Sequence, residues 1–251
     1  MAIRTIDEVL STLESIIVDA VSRQDPLGYF AVLYQKVTLK VKEGIAANAF
    51  ENGSRMEELD VVFAQRYLDA YFAFQRKEPV SESWRVAFDM AQHFWPIVLQ
   101  HLLIGMNAHI NLDLGVAAAE ISKGKEIGSL KKDFNKINEI LSSLVSEVQD
   151  DLGTIWPTLK WILQKTKNAD DFLADFSMKL ARDGAWKFAN HIALQESEKW
   201  DLLIQERDLK VSKKAALIST PGKWISLLLW IVRLGERGDV GTKIQALKRK
   251  F

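Results

Sequence analysis

Residues 96–113, PIVLQHLLIGMNAHINLD, decide the fold of this protein. Their apolar side chains fall on every side of a helical wheel, whereas a helix at a protein surface keeps one polar face for solvent. A helix that is apolar all round is a buried one. We therefore predict that residues 96–113 form a central helix that the rest of the chain surrounds.

The flanking sequence predicts more helices around the central one. Apolar residues recur three and four positions apart over 55–77 and over 129–151, which is the spacing of an amphipathic helix. Thr5 and Ser54 are each followed three residues later by a glutamate, the pattern of a helix N-cap. Alternation of polar and apolar residues, the mark of a strand, is hard to find. The prediction is an all-α fold, one multi-helix bundle that forms a single domain over residues 1–251.

Helix boundaries follow from these patterns and from the turn-forming residues between them. We predict that one helix ends before Pro96, that the central helix ends before Gly115, and that another helix begins at Gly184. The predicted helices lie near 5–22, 26–47, 55–77, 82–95, 96–113, 129–151, 154–166, 169–182, 184–208, 221–234 and 239–249.

Composition narrows the class of protein. The 251 residues contain 33 basic and 33 acidic side chains, so the chain offers no electrostatic reason to bind nucleic acid. Cysteine is absent, which removes disulfides, thiolate metal ligands and cysteine nucleophiles and fits a reducing compartment. The N-terminus does not have the pattern of a secretory signal, and no continuous run of about 18 apolar residues suggests a transmembrane helix. We predict a soluble, cytoplasmic protein.

The C-terminal segment 224–251 combines a strongly apolar helix with a basic tail. The helix over 224–234 can dock on the core or lie on a membrane surface, and we favour docking on the core. Residues from about Thr242 onward are expected to matter little to the core, because termini are ordered only where they bury apolar groups.

The central helix carries polar residues in two stripes. His101, Gly105, His109 and Asp113 are spaced four residues apart and share one face, while Gln100, Asn107 and Asn111 share another. A buried carboxylate needs a partner, so we predict that Asp113 contacts His109, a metal ion, or an arginine from a neighbouring helix, Arg66 or Arg182.

These residues form the predicted site. His109 and Asp113 are the catalytic candidates, with His109 as general base or metal ligand and Asp113 orienting its ring. The substrate-binding candidates are Asn107, Asn111, His101, Arg66 and Arg182. A divalent metal, Zn, Fe or Mn, is a possible cofactor, since imidazole and carboxylate suit all three, and its candidate ligands are His109, Asp113 and Asp60. Asp69 and Asp133 are offered as further members of the same shell.

Other readings of the polar residues stay open. The stripes are equally compatible with a polar network that fixes helix register and has no chemistry. Asp89 and His93, four residues apart, can form a second His/Asp pair that faces the first. His191 lies in an apolar stretch and is expected to be a core histidine.

The segment HLLIGMNAHINLDLGVAAAE, residues 101–120, resembles the signature of a bacterial all-helical family known as a domain of unknown function. The shared pattern is Asn-Ala-His-Ile-Asn-x-Asp-Leu, here Asn107 to Leu114. Weaker similarities are LDVVFAQRYLDA (59–70), SWRVAF (83–88), KKDFNKIN (131–138) and ARDGAW (181–186). The resemblance supports the site and implies no reaction, and His93 is not part of the family pattern.

Two classes of function follow from the sequence. The first is a metal- or His-assisted hydrolase that acts on a small substrate at the His/Asn/Asp site. The second is a non-enzymatic helical protein that binds a small molecule in an aromatic-lined pocket. The sequence does not decide whether the protein is an enzyme, and it leaves the oligomeric state open. Peripheral membrane contact through residues 224–251 is the less favoured alternative for that segment.

Overall fold

The computed structural model describes residues 3–137, 151–156 and 178–249. Within those ranges the chain forms helices, turns and loops without a β-strand, which confirms the all-α prediction. The helices are α1 (Ile6–Arg23), α2 (Leu27–Ala46), α3 (Gly53–Gln75), α4 (Glu82–Met90), α5 (Val98–Ala108), α6 (Leu114–Glu120), α7 (Met178–Ala193), α8 (Trp200–Ser219), α9 (Lys223–Gly235) and α10 (Val240–Lys248). Residues 131–137 and 151–155 are also helical.

The central helix is continuous from Val98 to Glu120. It consists of α5, one π-helical turn (His109–Asp113) and α6. By length and composition it could cross a membrane, but 94% of its most apolar 18-residue window is buried inside the protein. Length and composition alone therefore do not exclude a membrane-spanning helix. The burial of this segment inside the protein identifies it as the core helix. The central-helix prediction is confirmed, with the helix longer than expected at its C-terminal end.

The other helices surround this one. α1 packs on α2, and α2 and α3 cover one side of the central helix. α8 packs across α4 and α5, and α7 packs along α6 and the π turn. Two glycines allow close approach: a Cβ at Gly105 would collide with the Phe30 ring on α2, and one at Gly115 would lie 2.9 Å from the Ala185 carbonyl on α7.

Three predicted boundaries are wrong. Helix α4 ends at Met90, short of the predicted residue 95. The central helix runs through Gly115, because close packing against α7 uses the missing side chain there. α7 runs through Gly184, and the break falls after Ala193 instead. Residues 138–150 and 157–177, which contain much of three predicted helices, lie outside the described residues.

One of the two predicted N-caps is confirmed. The Thr5 hydroxyl accepts a hydrogen bond from the Glu8 backbone N–H at 3.2 Å and begins α1. The cap of α3 is Asn52, whose side chain accepts from the Arg55 N–H at 2.9 Å, so the prediction of Ser54 is wrong by two residues. Asparagine is as good a cap as serine, and the sequence pattern does not rank them.

The C-terminal helices agree with the sequence prediction in one respect, since α9 docks on the core through one face. α9 buries Leu229 and Val232 but leaves much of its apolar surface exposed. The shorter α10 buries Ile244 and Leu247 against α1 and α2. The expectation that residues beyond Thr242 matter little to the core is therefore wrong.

Candidate functional site

Asp113 is a buried carboxylate held by donors from three elements. Its Oδ1 accepts a hydrogen bond from Arg66 Nε at 3.0 Å, and its Oδ2 accepts from Trp84 Nε1 at 2.8 Å. His109 Nδ1 lies 3.1 Å from the same Oδ2. Burial raises the pKa of Asp113, but Arg66, His109 and Trp84 together lower it further, so its net pKa is below the ordinary value. Asp113 is therefore ionised at neutral pH, and the predicted His109 and Arg66 contacts are confirmed.

His109 has one ring nitrogen engaged and the other without a partner. Burial lowers the pKa of His109, and Asp113 offsets only part of this effect, so the imidazole is neutral at pH 7. Because the ionised Asp113 cannot donate, the proton must lie on Nδ1. Nε2 then carries a free lone pair, and it is buried with no hydrogen-bond partner among the described residues. A neutral imidazole with a free lone pair can accept a proton.

Five aromatic rings surround His109, and we call them the aromatic shell. Phe63 stacks on the imidazole with a centroid distance of 3.5 Å and an interplanar angle of 7°, and Tyr34 meets it edge-on at 4.4 Å. The other members, Phe30, Trp84 and Tyr67, lie 5.8 to 6.0 Å from it. Phe63 is half-buried, so it separates His109 from solvent.

Asp60 and Tyr34 add two more unpartnered polar atoms to this region. Asp60 Oδ2 and the Tyr34 hydroxyl are buried and have no hydrogen-bond partner in the described part of the chain. Burial, and after it the carboxyls of Asp60 and Asp113, raises the pKa of Tyr34, so its hydroxyl stays protonated. Burial, with a smaller contribution from Glu57, raises the pKa of Asp60 to about 8. Both groups are therefore neutral donors at pH 7.

The raised pKa of Asp60 predicts a dependence of stability on pH. In the unfolded chain this carboxyl titrates at its ordinary pKa of about 4. The folded protein thus binds one more proton between pH 4 and 8, and the free energy of unfolding falls as the pH rises through that range. Asp60→Asn should remove up to about 1.4 kcal/mol of this fall per pH unit. Urea denaturation at several pH values measures the slope.

The exposed Asp69 on the same helix supplies the control for that experiment. Asp69→Asn should leave the slope as it is in the native chain. Equal slopes for the native chain and Asp60→Asn would show that Asp60 does not titrate between pH 4 and 8.

Helix α8 supports the site through hydrogen bonds to the π turn and to the start of α4. Arg207 Nε donates to the Asn111 carbonyl at 2.8 Å, and so satisfies an acceptor in the π turn. The Asp208 carboxylate accepts the backbone N–H groups of Glu82 and Ser83 at 2.6 and 2.9 Å, where α4 begins. This cap fixes the helix start that carries Trp84.

The second polar stripe faces α8 rather than His109. Asn107 Nδ2 donates to the Val211 carbonyl at 3.0 Å, and its Oδ1 accepts from Asn111 Nδ2 at 3.2 Å. Gln100 Nε2 donates to the Ile218 carbonyl at 2.8 Å. Asn107 thus joins the central helix to α8 and Asn111 supports it, and their role in substrate binding stays a prediction.

Among the described residues, neither of the predicted residues His101 and Arg182 forms a hydrogen bond or ion pair with His109 or Asp113. His101 is two helical turns from His109, about 12 Å along the axis, next to Tyr29 and with a pKa lowered to about 3, mainly by burial. Arg182 on α7 is buried, and burial lowers its pKa to about 10. Its Nε and Nη1 have no partner among the described residues, but Arg66 is the arginine that binds Asp113.

Several auxiliary predictions are wrong. Asp89 is half-buried and paired with Arg85 at 2.9 Å, while His93 lies beyond the end of α4, so they form no second pair. His191 is exposed rather than in the core.

The acidic residues offered as further shell members are engaged elsewhere. Asp69 accepts from Gln65 at 2.6 Å on the surface of α3. Asp133 accepts the backbone N–H groups of Glu51 and Asn52 at the start of α3.

A shared metal ion is not favoured by the arrangement. Over the described ranges, no three His, Asp or Glu side chains are grouped so that they could hold one ion. Asp113 already has a cation, Arg66, and Asp60 is neutral at pH 7. The metal set His109, Asp113 and Asp60 stays a prediction from the sequence.

The structure also adds residues that the sequence did not point to. Trp84, Tyr34 and Phe63 contact the pair, and Arg207 holds the π turn. Trp84 and Phe63 lie in the segments SWRVAF and LDVVFAQRYLDA, and the resemblance of these segments to the family is the sequence feature that could have pointed to them. No sequence feature pointed to Tyr34 or Arg207.

The fold and the site define an all-α protein with a His–Asp pair buried on a π turn of its core helix. The chain belongs to the family described as "Family of unknown function (DUF5995)", whose match covers residues 6–221. No curated protein and no solved structure matches the chain.

Proposed function

We propose that this protein is a hydrolase of a small substrate that uses His109 as its general base. The observation that carries the proposal is the buried Nε2 of His109, which has no partner in the described part of the chain and whose ring is held by Asp113 through Nδ1. Buried polar atoms normally have hydrogen-bond partners. We infer that the lone pair of His109 Nε2 accepts a hydrogen bond from a molecule that binds at this site. A water proton or a substrate proton fits it.

The neighbouring groups suit such a step. Nε2 would take a proton from water as its oxygen attacks the substrate, and the imidazolium that forms would be stabilised by Asp113. The imidazolium would then give this proton to the leaving group as the scissile bond breaks, which restores the neutral His109. The protonated Tyr34 hydroxyl can donate to the oxygen on which negative charge develops. Arg66 is half-buried and forms the edge of the site toward solvent, where it can attract an anionic substrate.

Substrate access requires a movement of Phe63. This ring covers the imidazole, and it is the half-buried member of the aromatic shell. Phe63 would have to open to admit the substrate and close again over it, since closure is what excludes water in such enzymes. A metal-assisted version of the reaction would need a third ligand beside His109 and a carboxylate.

The test is hydrolysis of a panel of chromogenic esters, amides and phosphoesters by the native chain and by His109→Gln. Glutamine retains a polar side chain and cannot act as a base, so turnover should fall at least about a hundredfold. His191→Gln, at an exposed histidine, is the matched control and should keep full turnover. Equal turnover by His109→Gln and the native chain would contradict the proposal, as would no turnover of any class.

The aromatic shell also favours the second candidate, a protein that binds a small molecule without converting it. Five rings and one free acceptor are what an apolar ligand with a single donor would need. A compound that raises the melting temperature of the native chain but not of His109→Gln, and that is recovered unchanged, would support binding over hydrolysis.

A further inference from the structure

Helix α9 has two apolar faces, and within the described part of the chain only one of them is buried. Leu229 and Val232 point inward. On the opposite side, an arc of about 120° exposes Trp224, Leu227, Trp230, Ile231 and Leu234. Trp224 is 83% exposed and Trp230 is 50% exposed, values that are unusual for the largest apolar side chain.

This face continues onto the loop between α4 and α5. Trp95 lies 5.5 Å from the Trp230 ring, and the exposed Phe94 is next to it. Arg233 fixes the loop, since its Nε donates to the Phe94 carbonyl at 2.6 Å and its guanidinium covers the Phe94 ring at 4.6 Å. We call these two residues and the outer face of α9 the tryptophan surface. A continuous apolar surface of this kind marks an interaction site.

Cations predominate in the segment that carries the tryptophan surface, and one of them, Arg233, is paired with Glu236 at 2.9 Å. Residues 209–235 include the cations Lys210, Lys213, Lys214, Lys223 and Arg233 and no acidic residue, although the whole chain has 33 of each sign. Lys223 lies on the same arc as the exposed tryptophans. Lys213 and Lys214 are exposed on the preceding helix, α8. The partner of this surface should therefore be apolar and anionic.

We propose that the tryptophan surface binds the surface of an anionic lipid membrane. Tryptophan prefers the boundary between lipid headgroups and acyl chains, and a helix that lies in this boundary buries one apolar face while cations at its edge meet anionic headgroups. A second copy of the chain fits less well. A two-fold contact would bring the lysines of both copies into one interface, and the nearby Glu236 is already paired with Arg233 and Lys243.

Vesicle flotation tests the proposal, using phosphatidylcholine alone and phosphatidylcholine mixed with phosphatidylglycerol. The native chain should float with the mixed vesicles at least about tenfold more strongly than with the neutral ones, and raised salt should weaken binding. Trp224→Ser with Trp230→Ser should abolish binding to both. Leu194→Ser, at an equally exposed apolar residue outside the surface, should have no effect.

A second pair of variants tests the role of charge. Lys213→Glu with Lys214→Glu should weaken binding to mixed vesicles at least about tenfold, because each cation near an anionic surface contributes about fivefold. Lys125→Glu with Lys187→Glu makes the same change in net charge at exposed sites elsewhere and should leave binding unchanged. Circular dichroism confirms that each variant is folded.

Three results would overturn the proposal. Equal flotation with neutral and anionic vesicles would show that the cations do not contribute to binding. Absence of flotation with both would show that the surface does not bind a membrane. A dimer in light scattering that becomes a monomer in the double tryptophan variant would identify a second copy as the occupant.

Discussion

Asp113→Ala lowers the free energy of unfolding by about 3–5 kcal/mol, the range for breaking a buried charge pair from one side. The substitution leaves Arg66 Nε, Trp84 Nε1 and His109 Nδ1 without their acceptor. Trp84 and His109 are fully enclosed, so water cannot replace the lost oxygen without opening the core. Urea denaturation monitored by tryptophan fluorescence measures the loss.

Two further variants separate charge from shape. Asp113→Asn keeps one oxygen and the size of the side chain, so its loss should be smaller than that of Asp113→Ala. Asp89→Ala removes a half-buried carboxylate at the protein surface that is also paired with an arginine, and it should cost less than about 1 kcal/mol. If Asp113→Ala and Asp89→Ala cost the same, the buried pair contributes nothing special to the fold.

A network of this cost at the centre of an apolar helix needs a reason beyond packing. Hydrophobic residues of similar volume often stabilise a core as well as a buried ion pair does. Here two polar atoms nearby, His109 Nε2 and Asp60 Oδ2, also have no partner among the described residues. Departures from the ordinary rules of a protein core are concentrated at functional sites. This reasoning links the stability of Asp113 to the proposed role of His109.

Local sequence patterns were sufficient for the part of the site that lies on one helix. The spacing of His109 and Asp113 put them on one face, and the absence of a polar face identified their helix as buried. The need of a buried carboxylate for a cation limited the choice to a few residues, of which Arg66 is the observed one.

The remainder of the site depends on contacts between helices, which local patterns do not encode. Trp84 reaches Asp113 because Asp208, 124 residues later in the chain, caps α4. The π turn is stabilised by Arg207 from the same distant helix. No periodicity in residues 109–113 distinguishes a π turn from the α-helix around it, since it adds one residue to a single turn.

The C-terminal helices were misread for a related reason. The number of apolar residues makes α9 the stronger candidate for burial, but these residues lie on opposite faces, and one face has nothing to pack on among the described residues. α10 is shorter and more polar, yet Ile244 and Leu247 are three residues apart and share the face that meets α1 and α2. The placement of each helix follows from where its apolar residues lie around the helix axis, and not from how many of them it has.

Deletion of residues 240–251 should therefore destabilise the protein by about 5 kcal/mol or more, a large part of the stability of an ordinary domain. Ile244 is fully buried against Gly28, where an added Cβ would lie 2.6 Å from its Cδ1, and loss of a buried Ile or Leu side chain costs about 2–5 kcal/mol. The deletion also takes Lys243 from the buried Glu236, to which its Nζ donates at 2.9 Å. Circular dichroism during thermal unfolding measures the effect.

The double variant Trp224→Ser with Trp230→Ser is the control, since both side chains are largely exposed, and it should change stability by no more than about 0.5 kcal/mol per site. The truncated chain should therefore have the lower melting temperature of the two. If its melting temperature equals that of the native chain, or if the double variant melts at a lower temperature than the truncated chain, α9 rather than α10 closes the core.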